Sequence, residues 1–449
     1  MKKKTSRRKF LQQSTLVSAG LVGYGMSTAG QTGSRRFSTK PALLGGQPIR
    51  SKAWPQWPMW TPDDEALVVK VLRSGKWSRG EVVKEFEFQW AKQIGTKRAL
   101  ATVNGTSALI TALTQMDVGG GDEVILPAYT FIATLTAVLA TGAMPVFADV
   151  DPDTFQIDPR SIKEKITDRT RVIVPVHIAG LPADMKNILS LASDRKLLVL
   201  EDACQAWLAE IDNQKVGSFG QAGCFSFQNS KNIPIGEGGA VVSNDDQLMD
   251  RCFSYHNFGL PYQTAGGRPG AKLRLTEYQA AIGLAQLQRL DEQTTLRNKN
   301  AAYLQKLLLD IKGIKPYRLY DNVTRAAFHL FPFRYDKNAF AGLPRATFIK
   351  ALSAEGIPCS SGYAPLNKVN MLGNTFQTKN YRKMYSAAEL NEQQWEERNQ
   401  CAVSERLCLE EAVWFQQNLL LTGKEDMQEI AAAILKIQQH AGDLKRQVD

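Results

Sequence analysis

Long apolar runs are scarce in this 449-residue sequence. Beyond the N-terminus, none approaches the roughly 20 residues that a membrane helix needs, so we expect no stable membrane anchor. Histidine is also rare, with 4 residues, and the 6 cysteines form no Cys-x-x-Cys pair and no cluster with histidine at metal-ligand spacing. These absences argue against a structural metal site, and buried free thiols are expected instead.

Acidic residues are missing before Gly30, whereas the first nine residues contain six lysines and arginines. This leader accounts for much of the net charge of +11, and the remainder carries only a mild positive excess without a long basic run. The composition therefore gives little reason to expect a nucleic-acid partner. The percentages of hydrophobic and charged residues, 43% and 22%, are those of an ordinary globular protein.

The leader itself has the pattern of a twin-arginine export signal. Arg7 and Arg8 precede Phe10 and Leu11, a mildly apolar stretch follows, and small residues at 27–29 offer a cleavage site. Residues 1–29 are thus predicted to be a signal peptide that sends a folded protein to the periplasm or cell exterior. The alternative is a disordered basic tail, in which case the protein stays in the cytoplasm.

The length predicts two domains, because one hydrophobic core rarely extends beyond 300 residues. Residues 30–60 are predicted to be a linker and N-terminal arm, residues 61–295 a large domain, and residues 296–449 a smaller α+β domain. In the large domain, short apolar runs alternate with helical stretches, which predicts a mostly parallel seven-stranded sheet with helices on both faces. The strands are expected near residues 99–103, 123–127, 145–149, 171–177, 197–202, 223–228 and 239–243.

Polar features follow the ends of four of these strands, where ligands of such sheets bind. Residues 104–107 open a helix whose amides suit a phosphate, although they also suit a simple helix cap. Phe131 lies where an aromatic side chain can stack on a flat ring, or can simply belong to the core. Asp202 ends an apolar run and needs a partner such as a protonated pyridine nitrogen, unless it caps a helix or pairs with a base.

Lys231 lies between the sixth strand and the glycine-rich residues 236–239. Taken alone it is a surface charge, but at a sheet edge partial desolvation would lower its pKa and allow imine formation. A phosphate cradle, a ring stacker, an acid and an imine-forming lysine, in this order along the chain, are the parts of a pyridoxal phosphate site.

At this point the chain resembles the DegT/StrS-type sugar aminotransferases, a branch of the fold-type I pyridoxal phosphate enzymes. The resemblance is carried by residues 121–131, 175–177, 201–205, 225–228 with Lys231, and 236–239. It implies that Lys231 forms the imine with the cofactor and shuttles a proton, and that Asp202 pairs with the pyridine nitrogen. It also implies a homodimer with sites at the subunit interface, and these further cofactor contacts: Gln205 near the phenolate, Phe131 on the ring, and Gly105, Thr106, Ser107 and Ser226 on the phosphate.

Two positions depart from the family pattern. Lys272 stands where the family usually has an asparagine that reaches the neighbouring subunit's phosphate, and a lysine there can bind phosphate as a point charge. Trp207 and Leu208 replace a His-Gly pair after Gln205, which we expect to alter the pocket wall. The flanking segments, such as residues 44–48, 54–58 and 355–363, look most like those of scyllo-inosose aminotransferases.

Three functions are therefore weighed. The first is transfer of an amino group from glutamine or glutamate to a keto-sugar or keto-cyclitol. The second is a dehydratase-like reaction with the same cofactor, against which Lys231 argues, because related sugar dehydratases resemble this family but carry histidine in place of that lysine. The third is an exported pyridoxal phosphate-binding protein without turnover.

Overall fold

The computed structural model describes residues 40–447, so the predicted signal peptide lies outside the described residues. Its central sheet has the strand order β1-β9-β8-β5-β4-β2-β3. Strands β2, β3, β4, β5 and β8 run parallel to one another, while β9 pairs antiparallel with both β1 and β8. The seven strands are β1 (Arg98–Thr102), β2 (Glu123–Pro127), β3 (Met144–Ala148), β4 (Thr170–Ile173), β5 (Leu198–Asp202), β8 (Ala222–Ser226) and β9 (Gly239–Ser243).

Two smaller antiparallel sheets accompany it. One has the order β10-β12-β13, with β10 (Ile314–Pro316), β12 (Leu330–Tyr335) and β13 (Ala412–Gln416). The other joins β11 (Val323–Arg325) to the two-residue strands β6 (Glu210–Ile211) and β7 (Gln214–Lys215). The α-helices are α1 (Pro62–Ser74), α2 (Glu81–Ile94), α3 (Gly105–Gln115), α4 (Ile132–Thr141), α5 (Pro159–Lys165), α6 (Met185–Arg195), α7 (Asp246–His256), α8 (Glu277–Leu309), α9 (Arg345–Ala354), α10 (Met371–Phe376), α11 (Lys379–Met384), α12 (Glu392–Arg398), α13 (Ala402–Arg406), α14 (Lys424–Gln439) and α15 (Ala441–Arg446).

Both faces of the large sheet are covered, because successive strand residues point to opposite sides. In β2, Ile125 belongs to one core cluster, together with α2, α6 and α8, while Val124 and Leu126 belong to another, with α3, α4 and α7. The predicted α/β architecture with helices on both faces is therefore the one observed. Helix boundaries follow local chemistry: Thr61 and Asp64 form a capping box at the start of α1, and Thr276 and Gln279 do the same for α8.

Not all of the C-terminal part of the chain lies apart from the large sheet. The predicted boundary at residue 295 falls within α8, and the described residues 40–447 belong to one compact unit. Moreover, α10, α11 and α12 pack against the β2–β3 side of the large sheet, where Phe376 and Trp395 join its core. Composition alone could not reveal this packing, because short amphipathic helices do not indicate which sheet they cover. The division into large and small domains stays a prediction, and only the core around β10, β12 and β13 lies apart from the large sheet.

Residues 41–50, within the predicted linker and N-terminal arm, pack against the rest of the protein. Ile49 is buried in the core of the smaller sheet, and its backbone N–H donates to Glu355 at 2.9 Å. Arg50 is buried and forms ion pairs with Asp426 and Glu429. Burial of these side chains, with the ion pairs from Arg50 to α14, fixes the segment as a structured arm.

Candidate active site

A cavity of about 500 Å³ opens at the carboxyl edge of the large sheet. Four strand ends reach it, those of β1, β2, β5 and β8, in agreement with the expectation that ligands bind at this edge. Most of the residues predicted from the sequence line this one cavity: Gly105, Thr106, Phe131, Asp202, Gln205, Ser226 and Lys231.

The start of α3 forms a narrow cradle on the cavity floor. Asn104 is the N-cap, and its Oδ1 accepts from the backbone N–H of Ser107 at 2.8 Å. A Cβ on Gly105 would lie 2.8 Å from the Cβ of Ser226, so only glycine lets the helix terminus approach β8 this closely. The amides of a helix start, next to the Thr106 and Ser226 hydroxyls, suit an anion such as phosphate. Ser107 does not line the cavity, and its amide donates to the cap, so its predicted phosphate contact stays a prediction.

Asp202 is a buried carboxylate at the end of β5. Its Oδ2 accepts from the Thr134 hydroxyl at 2.8 Å, and its Oδ1 accepts from the backbone N–H of Cys204 at 3.1 Å. Within residues 40–447 it has no ion pair with a basic side chain. Two neutral donors orient the carboxylate, but no basic side chain among these residues pairs with it. The carboxylate is therefore suited to pair with a cationic atom of a ligand in the cavity.

Lys231 has its amine in the same cavity, in a largely desolvated position. Burial lowers the pKa of Lys231, while Cys204 and Asp202 act in the opposite direction. Its backbone carbonyl accepts from the Trp57 indole at 3.0 Å, and its backbone N–H donates to Gln228. A lysine held in this way has more neutral amine at neutral pH than an exposed one, which is what a nucleophilic amine requires.

Gln205 and Phe131 flank the cavity. The Gln205 Oε1 accepts from the backbone N–H of Ala179 at 2.8 Å, and its Nε2 donates to the Tyr363 hydroxyl at 2.7 Å, so its amide orientation is fixed. Phe131 is 54% exposed although it lines a cavity. A large aromatic ring open to a cavity is suited to stacking on a flat ligand.

Four contributors to the site were not predicted: Trp57, Thr134, His329 and Tyr363. Thr134 lies three residues after Phe131, and a search for hydroxyls in the first turn of α4 would have found it. Trp57 comes from the arm, His329 from the residue before β12, and Tyr363 from the segment between α9 and α10, and no local pattern connects them to Lys231. His329 is the most notable, because its Nε2 lies 3.4 Å from the Lys231 amine.

Trp207 was expected to form the pocket wall, but the structure places it elsewhere. It is fully buried, donates from its indole to the Ser226 carbonyl at 3.0 Å, and contacts the His329 ring edge-on at 5.6 Å. It does not line the cavity. The indole therefore supports two residues of the site from behind.

Glu201, next to Asp202, has a structural role. It accepts from three backbone amides of residues 217–220 and from the buried His177. These partners satisfy the carboxylate fully, so Asp202, rather than Glu201, is the acid that faces the cavity.

Lys272 does not line this cavity in its own chain. It is exposed, its backbone pairs with Asn257, and its amine lies 6.0 Å from the centre of the Phe258 ring. Its predicted contact with a neighbouring subunit's phosphate stays a prediction.

Two features typical of other classes of protein are absent from residues 40–447. No helix in this part of the chain is long and apolar enough to cross a membrane. No group of three or more histidine, cysteine, aspartate and glutamate side chains there is arranged to hold a metal ion. The six cysteines are all free.

The comparisons with known proteins agree with the geometry. The model of the DegT/DnrJ/EryC1/StrS aminotransferase family matches residues 59–397. The chain is 33% identical to L-glutamine:2-deoxy-scyllo-inosose aminotransferase of Streptoalloteichus tenebrarius over 425 residues, covering 90% of this chain and 99% of that protein. The enzyme of the same name from Streptomyces fradiae is 34% identical, covering 90% of this chain and 98% of its own.

Among solved structures, 3-amino-5-hydroxybenzoic acid synthase superposes with a TM-score of 0.76 at 31% identity, covering 86% of this chain and 99% of that one. This likeness confirms the predicted fold class. Together with the relatives it confirms the predicted resemblance.

Proposed function

The chain belongs to the DegT/DnrJ/EryC1/StrS aminotransferase family, and on that premise we propose that it moves an amino group from glutamine or glutamate to a ketone of a cyclitol or sugar. Aminotransferases of this family depend on pyridoxal phosphate. The observation that carries the proposal is that a desolvated lysine amine and a buried carboxylate without a cationic partner line one cavity.

The residues of the cavity fit pyridoxal phosphate. The start of α3, with Gly105, Thr106 and the Ser226 hydroxyl, would hold the phosphate, and a Cβ at residue 105 would fill this cradle. Asp202 would pair with the ring nitrogen, and Phe131 would cover one face of the ring. Gln205 would lie near the phenolate oxygen. When bound, the cofactor supplies an electron-accepting ring and a carbon that carries the amino group between donor and acceptor.

The chain's own residues then have separate tasks. Lys231 accepts a proton on Nζ and returns it, which requires an amine that is easily deprotonated at neutral pH. Asp202, oriented by Thr134 and the Cys204 amide, keeps a negative charge where the ring nitrogen needs one. Phe131 and the walls of the cavity exclude water from one side. Because Lys231 is present, a dehydratase-like reaction is disfavoured.

The acceptor is proposed from the named relatives. The two relatives from Streptoalloteichus and Streptomyces act, by their names, on 2-deoxy-scyllo-inosose with L-glutamine. The alignment with each of them covers 90% of the chain. The similarity therefore includes the segments on either side of the site residues as well as the site itself. We therefore expect a cyclic polyhydroxy ketone as acceptor and glutamine as the preferred donor.

The purified full-length protein tests this proposal. It should be yellow, and the colour should bleach when glutamine or glutamate is added and return when scyllo-inosose or 2-deoxy-scyllo-inosose follows. A protein that binds the cofactor but is not bleached by any amino donor would be the third alternative, a binding protein without turnover. A protein that takes up no cofactor would overturn the proposal entirely.

We further propose a homodimer in which Lys272 reaches the phosphate held by the neighbouring subunit. The support is positional, since Lys272 occupies the family's asparagine position and is exposed. Large exposed apolar side chains such as Trp77 and Phe258 add surface suited to an interface. Sedimentation equilibrium that finds only monomer would refute the dimer.

Residues 1–29 are proposed to direct export by the twin-arginine route, on the support of Arg7 and Arg8, the Phe10 and Leu11 that follow them, and the mildly apolar stretch after these residues. Replacing both arginines by lysine should retain the protein in the cytoplasm in a folded form. Cell fractionation measures this, and wild-type protein found uncleaved and only in the cytoplasm would contradict the proposal.

A further inference from the structure

A histidine from the smaller sheet's side of the molecule lies directly beside the proposed catalytic lysine. His329 immediately precedes β12, 98 positions along the chain from Lys231, and its Nε2 lies 3.4 Å from the lysine Nζ. It is 7% exposed, so this contact is largely shielded from water. A hydrogen bond shielded from water in this way is electrostatically stronger than an exposed one, so it strongly affects the protonation of the groups that it joins.

The neighbours of His329 determine which ring nitrogen carries the proton. The Nδ2 of Asn232 donates to the Ala327 carbonyl at 2.8 Å, so its Oδ1 faces the histidine, at 3.3 Å from Nδ1. A carbonyl oxygen can only accept, and Nδ1 must therefore carry the hydrogen. The other nitrogen, Nε2, is left with a lone pair aimed at the Lys231 amine.

The charges around the ring keep it neutral. Burial, Lys231 and Arg297 all lower the pKa of His329. Arg297 is fully buried, and two of its nitrogens donate to the Gln417 Oε1, with no carboxylate partner among residues 40–447. Burial lowers the pKa of Arg297 to about 9, which leaves it cationic at neutral pH. A proton is therefore better held on Lys231 than on His329.

The remaining titratable groups near the pair are Asp202 and Cys204, on the cavity side of Lys231. The two tryptophan side chains next to the pair are held by hydrogen bonds. Trp207 contacts His329 while bonded to the Ser226 carbonyl, and Trp57 is bonded to the Lys231 carbonyl. His329 and Lys231 are thus held toward each other from both sides.

We propose that His329 is a positioning residue for Lys231: a neutral imidazole of fixed tautomer that accepts a hydrogen bond from Nζ, stabilises the protonated amine and orients it. Its effect on turnover rests on the proposed function, but the hydrogen bond itself does not. Loss of a hydrogen bond to a charged group should lower the pKa of the Lys231 amine by about one unit or more.

The test measures the Lys231 amine directly in the full-length chain freed of any bound aldehyde. Competitive labelling with acetic anhydride across a pH series, read by mass spectrometry of the peptide that contains residue 231, gives the pKa of this amine. His329→Leu removes the acceptor, whereas His329→Gln keeps an acceptor that cannot be protonated. His440→Gln is the matched control, because the His440 side chain hydrogen-bonds with Asp443 near the C-terminus, far along the chain from both members of the pair.

We expect the Lys231 pKa to fall in His329→Leu and to stay within a few tenths of a unit of wild type in the Gln and control variants. Asn232→Ala, which frees the tautomer, should give a smaller fall and provides the test if the Leu variant does not fold. The proposal would be overturned if the Lys231 pKa were unchanged in His329→Leu and Asn232→Ala. Equal falls of this pKa in His329→Leu and His329→Gln would also overturn it.

Turnover gives an independent readout. The Leu variant should lose kcat while KM and cofactor affinity change little, and Gln should restore most of the loss. Because the labelling needs neither cofactor nor substrate, a failure of the proposed function leaves its result interpretable. A chain that shows the labelling shift yet never transaminates would refute the function and not the hydrogen bond.

Discussion

Gly105 offers the sharpest test of the phosphate cradle, because its role is set by space. In Gly105→Ala the new Cβ would lie 2.8 Å from the Ser226 Cβ, 3.0 Å from the Cys204 Sγ and 3.3 Å from the Ser226 Cα. Ordinary carbon contacts need 3.4 Å or more, so the start of α3 must move away from β8. Overpacking of this degree costs about 1–3 kcal/mol of folding free energy.

The movement should cost more in binding than in stability. A shift of a few tenths of an ångström at the first turn of α3 misaligns its amides with a phosphate held partly by Ser226. Losing one charge-assisted hydrogen bond is worth about 1.5–3 kcal/mol, which raises the cofactor Kd by roughly 10- to 100-fold. Absorbance titration with pyridoxal phosphate measures the Kd, and thermal unfolding without cofactor measures stability, where we expect a fall of a few degrees.

Two further variants make the result specific. Gly266→Ala is the control, because a Cβ there meets nothing within 4 Å and the residue lies outside this cavity. The double variant Gly105→Ala with Ser226→Gly removes the closest clash and should recover part of the stability, though not the hydroxyl. If Gly105→Ala binds the cofactor as tightly as wild type and unfolds at the same temperature, the cradle does not have the geometry described above.

Three other predictions concern charged residues of the proposed site. Lys231→Ala should fold normally but show no borohydride-stable cofactor adduct by mass spectrometry; an adduct on another lysine would reassign the role. Asp202→Asn should bind the cofactor yet react with glutamine at least about a hundredfold more slowly in stopped-flow absorbance, and an unchanged rate would exclude the pairing with the ring nitrogen. Lys272→Ala should raise the cofactor Kd about tenfold, most clearly at low salt, with the dimer intact; an unaltered Kd at all salt concentrations would return Lys272 to the surface.

The central sheet and the core of the site could be predicted because their signals are local. Each of the seven strands is an apolar run bounded by polar or glycine residues, and polar side chains at their carboxyl ends necessarily meet at one edge. Asp202 and Lys231 were therefore found without any knowledge of contacts. The predicted phosphate contact of Ser107 stays a prediction, and its amide is already used by the Asn104 cap.

The residues that were missed depend on tertiary packing. His329 reaches Lys231 only because β12 and the residues before it pack beside the large sheet, and Trp57 does so only because the arm is fixed through Ile49 and Arg50. Trp207 illustrates the opposite error, since its place in the sequence two residues after Gln205 suggested a cavity wall. A residue close in sequence to a site residue can point behind the site, as Trp207 does.

Helix α8 has a consequence for how substrates enter. Its 33 residues span about 50 Å without a break and contact both the large sheet's core and the smaller sheet's core. Helices α10 to α12 form a second connection, because they belong to the C-terminal part of the chain and pack on the large sheet. With two such connections, the parts of the chain around the two cores cannot close about a single hinge. We therefore expect the cavity to be preformed. Substrate binding would then need no closing motion of the protein, and its rate would be set by diffusion into the cavity and by loss of bound water. The binding rate constant should therefore show only the dependence on solvent viscosity that diffusion itself gives.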